Sequence, residues 1–137
     1  MPGAFSMRVR VRLPETDALG VVYYGQYFTY FDLSRLEMLR KEGITLKFLR
    51  DRRLGFVAGE ASCRYLSSAR FDDLLTLRVG VARMGNSSVT YHHEVFRGKE
   101  EVAIGRVADV LVGPKGKPVK IPEDVRKMLS RYSLSSD

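Results

Sequence analysis

Residues 15–42 of the chain read ETDALGVVYYGQYFTYFDLSRLEMLRKE. From Gln26 to Glu42 this stretch contains neither Pro nor Gly, which favours a helix. The first half of the segment is apolar on most sides, as in a helix buried in a core. The second half is amphipathic, with Glu37 and Lys41 in the stabilising i,i+4 order, and Gly43 suits the position that ends a helix. The stretch predicts one long helix whose N-terminal half is sunk in the core.

Strand patterns lie on both sides of this helix. From Met7 to Leu13, apolar residues alternate with arginines, which is the period of a half-buried strand. Val102–Val112 is apolar on both faces, which predicts a central strand. Three further segments alternate apolar and polar residues: Val57–Tyr65, Leu75–Val81 and Val89–Val95. The order is strand, long helix, short helix and four strands, and we expect those four strands to form a meander.

Turn-forming residues divide these segments and define two short helices. We expect Thr45 to cap a helix that Gly55 ends, and Pro122 to open a C-terminal helix. The C-terminal helix would bury one stripe, namely Val125, Met128, Leu129 and Tyr132. Loops or turns are expected at Pro14–Gly20, Gly85–Asn86, Gly98–Lys99 and Gly113–Pro118. The predicted class is α+β in a hot-dog arrangement: a five-stranded antiparallel sheet wrapped around one long central helix, with short additional helices.

Composition limits the kind of protein this is. The chain has 137 residues, with 23 Lys and Arg against 16 Asp and Glu, and a formal charge of +7. We expect one domain, residues 1–137, with frayed ends at 1–6 and 133–137. No apolar run approaches the length of a membrane span, no secretory signal opens the chain, and Cys63 is the single cysteine. These features predict a cytoplasmic protein without membrane insertion.

The positive charge favours an anionic partner: a nucleic acid, a membrane surface or a phosphorylated small molecule. Charge alone does not choose among them, although the absence of a basic run disfavours a nucleic-acid arm. Phosphate loops, GxGxxG, HExxH and paired CxxC motifs are also absent. His92 and His93 are neighbours on a predicted strand, so they point to opposite faces and do not share a metal. Cys63 falls on an apolar face, which predicts a core residue rather than a nucleophile.

Asp17 is the residue that best suits catalysis. It lies in an acidic loop that leads directly into the buried helix. A helix start presents unpaired N–H groups and a positive dipole end, which stabilise an oxyanion on a carbonyl, and Gly25 lets the backbone approach a ligand closely. A nearby carboxylate could attack that carbonyl or activate a water. From spacing alone, Asp17 could equally be a turn residue or a partner of the helix dipole.

Three stretches carry a resemblance to a known family: residues 15–27 (ETDALGVVYYGQY), 65–74 (YLSSARFDDL) and 85–91 (GNSSVTY). The first resembles the signature of the 4-hydroxybenzoyl-CoA thioesterase family, whose members are hot-dog acyl-CoA thioesterases and include those encoded with the Tol-Pal envelope system. The likeness extends from Val9 to Pro122. Two positions depart from the pattern. Tyr24 replaces a frequent His, which puts any role for an imidazole in doubt, and Ser68 replaces a Pro.

The resemblance implies hydrolysis of an acyl-CoA thioester to a free acid and coenzyme A. Asp17 would be the nucleophile or general base, and the backbone N–H groups of Tyr24 and Gly25 would polarise the thioester carbonyl. No cofactor is expected, since coenzyme A is part of the substrate. Family members form dimers whose sheets join edge to edge, often paired into tetramers, with the active site at the subunit boundary. Exposed edge strands favour such pairing, so we expect a homo-oligomer, either a dimer or a dimer of dimers.

Other residues are candidates for substrate binding. Arg70 would lie near coenzyme A phosphates or form ion pairs with the aspartates that follow it. The set Arg83, Asn86, Ser87 and Ser88 would cradle the nucleotide end of coenzyme A, or form only a polar hairpin turn. Glu60 is a rival catalytic carboxylate, with a solvated or interface glutamate as the alternative.

Two other functions remain open from the sequence. The same tunnel could bind acyl-CoA without hydrolysing it, and the charge alone could serve a nucleic-acid binder. A hot-dog dehydratase is disfavoured, because neither histidine is placed near the helix.

Overall fold

The computed structural model describes residues 3–134 and contains five strands and three α-helices within that range. A 3-10 turn at Leu13–Glu15 follows the first strand. The elements are β1 (Phe5–Arg10), α1 (Gln26–Lys41), α2 (Leu46–Asp51), β2 (Gly55–Tyr65), β3 (Leu74–Met84), β4 (Ser88–Arg97), β5 (Glu100–Val112) and α3 (Glu123–Ser130). All five strands join one antiparallel sheet, and α1 packs against it. The predicted α+β hot-dog arrangement is confirmed.

The strand order corrects one expectation. The sheet order is β1-β3-β4-β5-β2, so only β3, β4 and β5 form a meander. β2 crosses to the far edge and pairs with β5, while β3 pairs with β1. The four-strand meander was wrong because alternation identifies a strand and its buried face but does not identify its neighbour. β5 lies between two strands, as its two apolar faces predict.

Helix α1 divides the core into two clusters. The first surrounds its N-terminal half, where Tyr27, Tyr30 and Phe31 are buried against β3 and β5. The second surrounds its C-terminal half, where Met38 and Leu39 meet α2, α3 and the loops that flank them. A Cβ at Gly105 would lie 2.1 Å from Phe31 Cε2, so glycine is what lets the helix approach β5 so closely.

Several element boundaries differ from those predicted. β1 ends at Arg10 instead of Leu13, because the chain turns into the 3-10 turn, and Leu13 is 64% exposed. Gly55 opens β2 and does not end α2, whose last helical residue is Asp51. Pro122 caps α3 from outside the helix. In the predicted C-terminal stripe, Val125, Leu129 and Tyr132 are buried, while Met128 is only partly buried.

The two ends of the described chain lie side by side. A Cβ at Gly3 would lie 2.4 Å from the carbonyl oxygen of Ser133, and the Leu134 N–H donates to the Val81 oxygen at 2.9 Å. The expected fraying is therefore corrected for Phe5 and Ser6, which belong to β1, and for the paired residues 133–134. Residues 1–2 and 135–137 lie outside the described residues. Among residues 3–134, no helix is both long and apolar enough to cross a bilayer.

Candidate active site

Glu15 anchors the loop that carries Asp17. Its buried carboxylate accepts hydrogen bonds from the Arg12 backbone N–H (2.9 Å), the Tyr30 hydroxyl (2.9 Å) and the Arg12 Nε (3.0 Å). Burial alone would raise the pKa of Glu15, but these hydrogen bonds and the Arg12 charge outweigh it and lower the pKa. This role of Glu15 was not predicted from the sequence. A sequence pattern could have indicated this role: an acidic side chain often bonds the backbone N–H three residues earlier, as in a capping box, and Glu15 stands three residues after Arg12.

Backbone hydrogen bonds close this loop tightly. The Tyr23 N–H donates to the Glu15 oxygen and the Asp17 N–H to the Val21 oxygen, each at 2.9 Å. One carboxylate oxygen of Asp17 also accepts a bond from the Leu19 N–H at 2.9 Å. Asp17 is thus a turn residue, as one of the two alternatives held, and its exposed side chain also lines a cavity.

The Asp17 cavity has a volume of about 190 Å³ and lies between the loop, the start of α1 and the end of β2. Its walls include Asp17, Tyr24, Tyr27, Tyr65, Ser67 and Ser68. The Tyr65 ring contacts the rings of Tyr24 and Tyr27 edge-on, at centroid distances of 6.4 and 5.5 Å. The cavity therefore combines one carboxylate with an aromatic wall.

Two backbone amides at the start of α1 have no acceptor within the described residues. The Gln26 N–H donates to the Tyr23 oxygen at 2.9 Å, whereas the N–H groups of Tyr24 and Gly25 donate no hydrogen bond in residues 3–134. The Tyr24 carbonyl accepts a bond from the Tyr65 hydroxyl at 3.0 Å. A Cβ at Gly25 would lie 2.7 Å from the Tyr23 ring, so that ring covers one side of the glycine. Tyr24 lines the cavity together with Asp17, and Gly25 is the next residue along the chain.

Arg70 lies next to the Asp17 loop. Its backbone bridges to Val21, and its guanidinium nitrogen Nη1 would be 3.8 Å from a Cβ at Gly20. Of the two alternatives for Arg70, side-chain ion pairs with the following aspartates do not form, although its backbone N–H donates to Asp73 at 2.8 Å. Asp73 instead pairs with Arg97 at 2.9 Å, and within residues 3–134 no carboxylate lies within ion-pair distance of the Arg70 guanidinium. Its charge is therefore available beside the loop.

Glu60 and Arg83 lie apart from the Asp17 cavity within one protomer. Both line a second cavity of about 260 Å³ on the outer face of the sheet, together with Arg106 and Thr90. Two guanidinium groups beside hydroxyl groups form a polar, basic surface there. The structure thus separates the rival carboxylate Glu60 from Asp17.

The turn at residues 85–88 belongs to the opposite end of α1. The backbone oxygen of Asn86 accepts a hydrogen bond from the Ile121 N–H at 2.9 Å, and the backbone oxygen of Ser87 accepts one from the Leu111 N–H at 2.7 Å. Val89, the residue after Ser88, packs in the core cluster around the C-terminal half of the helix. Asn86, Ser87 and Ser88 therefore do not meet Asp17 within a single protomer.

His92 and His93 point to opposite faces, as predicted. His93 is fully buried, stacks on Phe31, and its Nε2 lies 3.1 Å from an Arg35 nitrogen. Phe31 and Arg35 belong to α1, so the expectation that neither histidine lies near the helix is wrong for His93. Burial lowers its pKa far below the usual value, and the Arg35 charge lowers it further. Cys63 is partly buried against the core, and burial raises the pKa of its thiol. In the described part of the chain, no three His, Cys, Asp or Glu side chains are grouped to hold a metal.

A third cavity, not predicted from the sequence, lies along the middle of α1. It has a volume of about 360 Å³ and is lined mostly by apolar residues of α1, α2 and β2. Asp32, Arg35 and Asp109 form its charged part, and the Arg35 Nε lies 3.4 Å from an Asp109 carboxylate oxygen. Burial raises the pKa of Asp109, although the Arg35 charge opposes that shift. The cavity borders the N-terminal end of β2, whereas the Asp17 cavity borders its C-terminal end.

Comparison with known proteins agrees with this architecture. The chain is 33% identical to the acyl-CoA thioesterase YbgC of Haemophilus influenzae over 129 residues, which cover 92% of this chain and 94% of that protein. It is 30% identical to the acyl-CoA thioester hydrolase YbgC of Escherichia coli over 123 residues, which cover 88% and 92%. A hypothetical protein of Aquifex aeolicus superposes with a TM-score of 0.87 at 33% identity, covering 91% of this chain and 98% of that one.

A family model described as the thioesterase superfamily matches residues 19–104, which is more than half of the chain. The matched range includes the start of α1, the edge strand β2 and the wall of the Asp17 cavity formed by Tyr24 and Tyr65. The chain belongs to the thioesterase superfamily.

Proposed function

We propose that the protein is an acyl-CoA thioesterase that hydrolyses its substrate to a free acid and coenzyme A. One observation carries the proposal: Asp17 and Tyr24 line the same cavity, and the backbone N–H groups of Tyr24 and of Gly25, the next residue, donate no hydrogen bond within residues 3–134. The YbgC relatives, named as acyl-CoA thioesterases, support the substrate class. Incubation with short, long and aromatic acyl-CoAs, with released thiol trapped by a dye, tests it directly. Thiol release above the uncatalysed rate is expected, and none with any substrate would contradict it.

The proposed chemistry uses the chain's own groups. The N–H groups of Tyr24 and Gly25 would donate to the thioester oxygen and stabilise the negative charge that develops there. In one route, an Asp17 oxygen adds to the carbonyl carbon, the C–S bond breaks, and water hydrolyses the resulting anhydride. In the other, Asp17 takes a proton from water, the hydroxide adds, and the proton passes to the departing thiolate. If water adds to the Asp17 carbonyl carbon of the anhydride, single turnover in oxygen-18 water leaves the label in Asp17; the second route leaves the label only in the free acid, so labelled Asp17 would identify the first route.

A binding module without hydrolysis is the second candidate. It is favoured by the bond that the Asp17 carboxylate accepts from the Leu19 N–H, since a carboxylate committed to a turn has less freedom to react. The two candidates separate in one experiment. Binding of acyl-CoA with no thiol release supports the module, whereas release at turnover rates supports the enzyme.

Arg70 is the proposed contact for a coenzyme A phosphate nearest to Asp17, because its guanidinium lies beside the catalytic loop without a carboxylate partner in the described residues. Arg83, Asn86, Ser87 and Ser88 stay candidates for the nucleotide end. These residues lie away from Asp17 in one protomer. They would therefore contact the far end of a long substrate bound at Asp17, or contact a substrate bound at Asp17 of a second subunit.

We propose a homodimer formed through β2. This strand is an exposed edge of eleven residues, with Val57 and Tyr65 about half exposed, whereas the other edge, β1, has six residues and two arginines. A long unpaired edge favours pairing with a copy of itself. Antiparallel pairing about a two-fold axis would bring the N-terminal end of the partner's strand beside Tyr65. The partner's 360 Å³ cavity would then adjoin the Asp17 cavity and extend it for the acyl group.

Finer assignments remain predictions within this proposal. They are the 4-hydroxybenzoyl-CoA and Tol-Pal subtype, the cytoplasmic location, pairing of dimers into tetramers, and turnover without a cofactor. The panel of acyl-CoAs tests the 4-hydroxybenzoyl-CoA subtype, since preference for an aromatic over an aliphatic acyl group would support it. Activity that survives exhaustive dialysis against a chelator would support turnover without a cofactor.

A further inference from the structure

The backbone that carries the Gly25 amide lies in a turn with two accessible forms. Residues Tyr23 to Gln26 form a β-turn closed by the Gln26 N–H and the Tyr23 oxygen at 2.9 Å. Gly25 occupies the third position, with φ of −70° and ψ of −21°, which is the type I form. Type II needs a positive φ at that position, which glycine adopts without strain. The two forms differ by rotation of the Tyr24–Gly25 peptide, which reverses its carbonyl and its N–H.

A single side chain holds this peptide in the form observed. The Tyr65 hydroxyl on β2 donates to the Tyr24 carbonyl at 3.0 Å. The Tyr65 ring is itself held by edge-on contacts with Tyr24 and Tyr27. In a planar trans peptide, the carbonyl and the N–H point in opposite directions, so fixing the Tyr24 oxygen also fixes the Gly25 N–H. Rotation to type II would break the bond from Tyr65.

We propose that Tyr65 is a positioning residue for thioester hydrolysis: its hydroxyl locks the Tyr24–Gly25 peptide so that the Gly25 N–H stays directed at the substrate carbonyl. The inference rests on the proposed function, because it assigns Tyr65 a part in the same site. The hydroxyl also acts electronically. A hydrogen bond accepted by a peptide carbonyl polarises that peptide and makes its N–H a stronger donor. Desolvation raises the pKa of Tyr65 to about 12, so the phenol keeps its proton at neutral pH.

The primary test is Tyr65→Phe, which keeps the ring and removes the hydroxyl. We expect kcat to fall on the order of tenfold or more, with KM within about twofold, because the lost interaction acts on the developing oxyanion. Tyr132→Phe is the matched control. It removes another phenol that hydrogen-bonds a distant carboxylate, Glu42, and we expect unchanged kinetics. Wild-type kcat in Tyr65→Phe, or a change confined to KM, would overturn the inference.

A vibrational measurement separates positioning from a merely structural effect. In an Asp17→Asn background, a bound acyl-CoA labelled with carbon-13 at its carbonyl reports hydrogen bonding to that oxygen through its stretching frequency. We expect the shift to lower frequency on binding to shrink when Tyr65→Phe is added, and to be retained with Tyr132→Phe. An identical frequency with and without the Tyr65 hydroxyl would refute the assignment, even if turnover fell.

If Tyr65→Phe does not fold, a fluorinated tyrosine whose hydroxyl ionises near neutral pH replaces residue 65. We expect kcat of this variant to fall as pH rises through that ionisation, since a phenolate has no proton to donate. The wild-type protein should show no such fall in kcat over the same pH range. A flat profile would contradict the inference. The failure of the two proposals is distinguishable. Loss of turnover in Asp17→Asn with full kcat in Tyr65→Phe rejects only the role of Tyr65, whereas full turnover in Asp17→Asn rejects the catalytic role on which it rests.

Discussion

At the scale of single residues, Asp17 and Glu15 are two carboxylates in one short loop with different environments. Glu15 is buried and accepts three hydrogen bonds, whereas Asp17 is exposed and lines the cavity. A buried carboxylate saturated by donors is poorly suited to attack a substrate. Under the proposed function, Glu15 would hold the loop in place and Asp17 would supply the reactive carboxylate.

Asp17→Asn tests the reactive role of Asp17. We expect turnover of acyl-CoA to fall on the order of a hundredfold or more, because the amide neither attacks a thioester nor accepts a proton from water. The amide oxygen still accepts the Leu19 N–H bond, so the loop and the unfolding temperature should change little. Steady-state thiol release is the measurement. Glu60→Gln serves as the matched control and should retain wild-type turnover. The opposite pattern would assign catalysis to Glu60.

At the scale of elements, the Asp17 loop depends on the bonds that converge on Glu15. We expect Glu15→Gln to cost about 1–3 kcal/mol of unfolding free energy at pH 7, since the variant weakens charged hydrogen bonds at a buried site. The folded-state pKa of Glu15 is lowered, so the advantage of wild type is full above the ordinary value of 4.5 and is lost as pH falls through the folded pKa.

Chemical denaturation of both proteins at neutral and at acidic pH provides this measurement. Glu37→Gln is the control, because within residues 3–134 Glu37 pairs only with Arg40, at the surface. This variant should change stability by about a few tenths of a kcal/mol at any pH. A difference between wild type and Glu15→Gln that stays constant down to pH 3 would contradict the assigned cause.

The elements also mark what sequence could predict. Helix α1 and the strands β3, β4 and β5 were foreseen because their periodicity is local and long. The place of β2 beside β5 was not, since strand neighbours are set by contacts distant in the chain. The same distinction applies to the site. Asp17, Tyr24 and Gly25 lie within nine residues of one another and could be linked by a motif. The roles of Glu15 and Tyr65 depend on partners brought close by folding, Tyr30 and Tyr24.

At the scale of the whole molecule, the long edge strand β2 predicts a dimer. Light scattering at micromolar concentration should give twice the chain mass of 15.5 kDa for a dimer, or four times that mass for a dimer of dimers. Val57→Lys places a charge on the exposed edge and should shift the mass toward the monomer and reduce turnover. Leu74→Lys, at another exposed apolar residue, should leave the mass unchanged. A wild-type monomer under these conditions would contradict the proposed assembly.

His93 links the stability of the whole core to pH. The folded state resists protonation of this buried imidazole, while the unfolded chain binds a proton near the ordinary pKa of 6.5. Stability is therefore complete above that value and falls as pH decreases below it, by up to about 1.4 kcal/mol per pH unit from this group. His93→Gln should flatten this dependence, and denaturation from pH 7 to pH 5 measures it. His92→Gln, on the partly exposed outer face, should flatten it less. Equal slopes in wild type and His93→Gln would refute the assignment.

The close approach of Gly3 to Ser133 places the two ends of the described range, residues 3–134, next to each other. A short linker would span the gap, and the chain could be reopened at the Gly98–Lys99 turn between β4 and β5. Such a circular permutant would retain all four strand pairings and the Asp17 loop. It would turn the adjacent β4 and β5 from a local hairpin into the most sequence-distant pair, which should slow folding while leaving the final architecture intact.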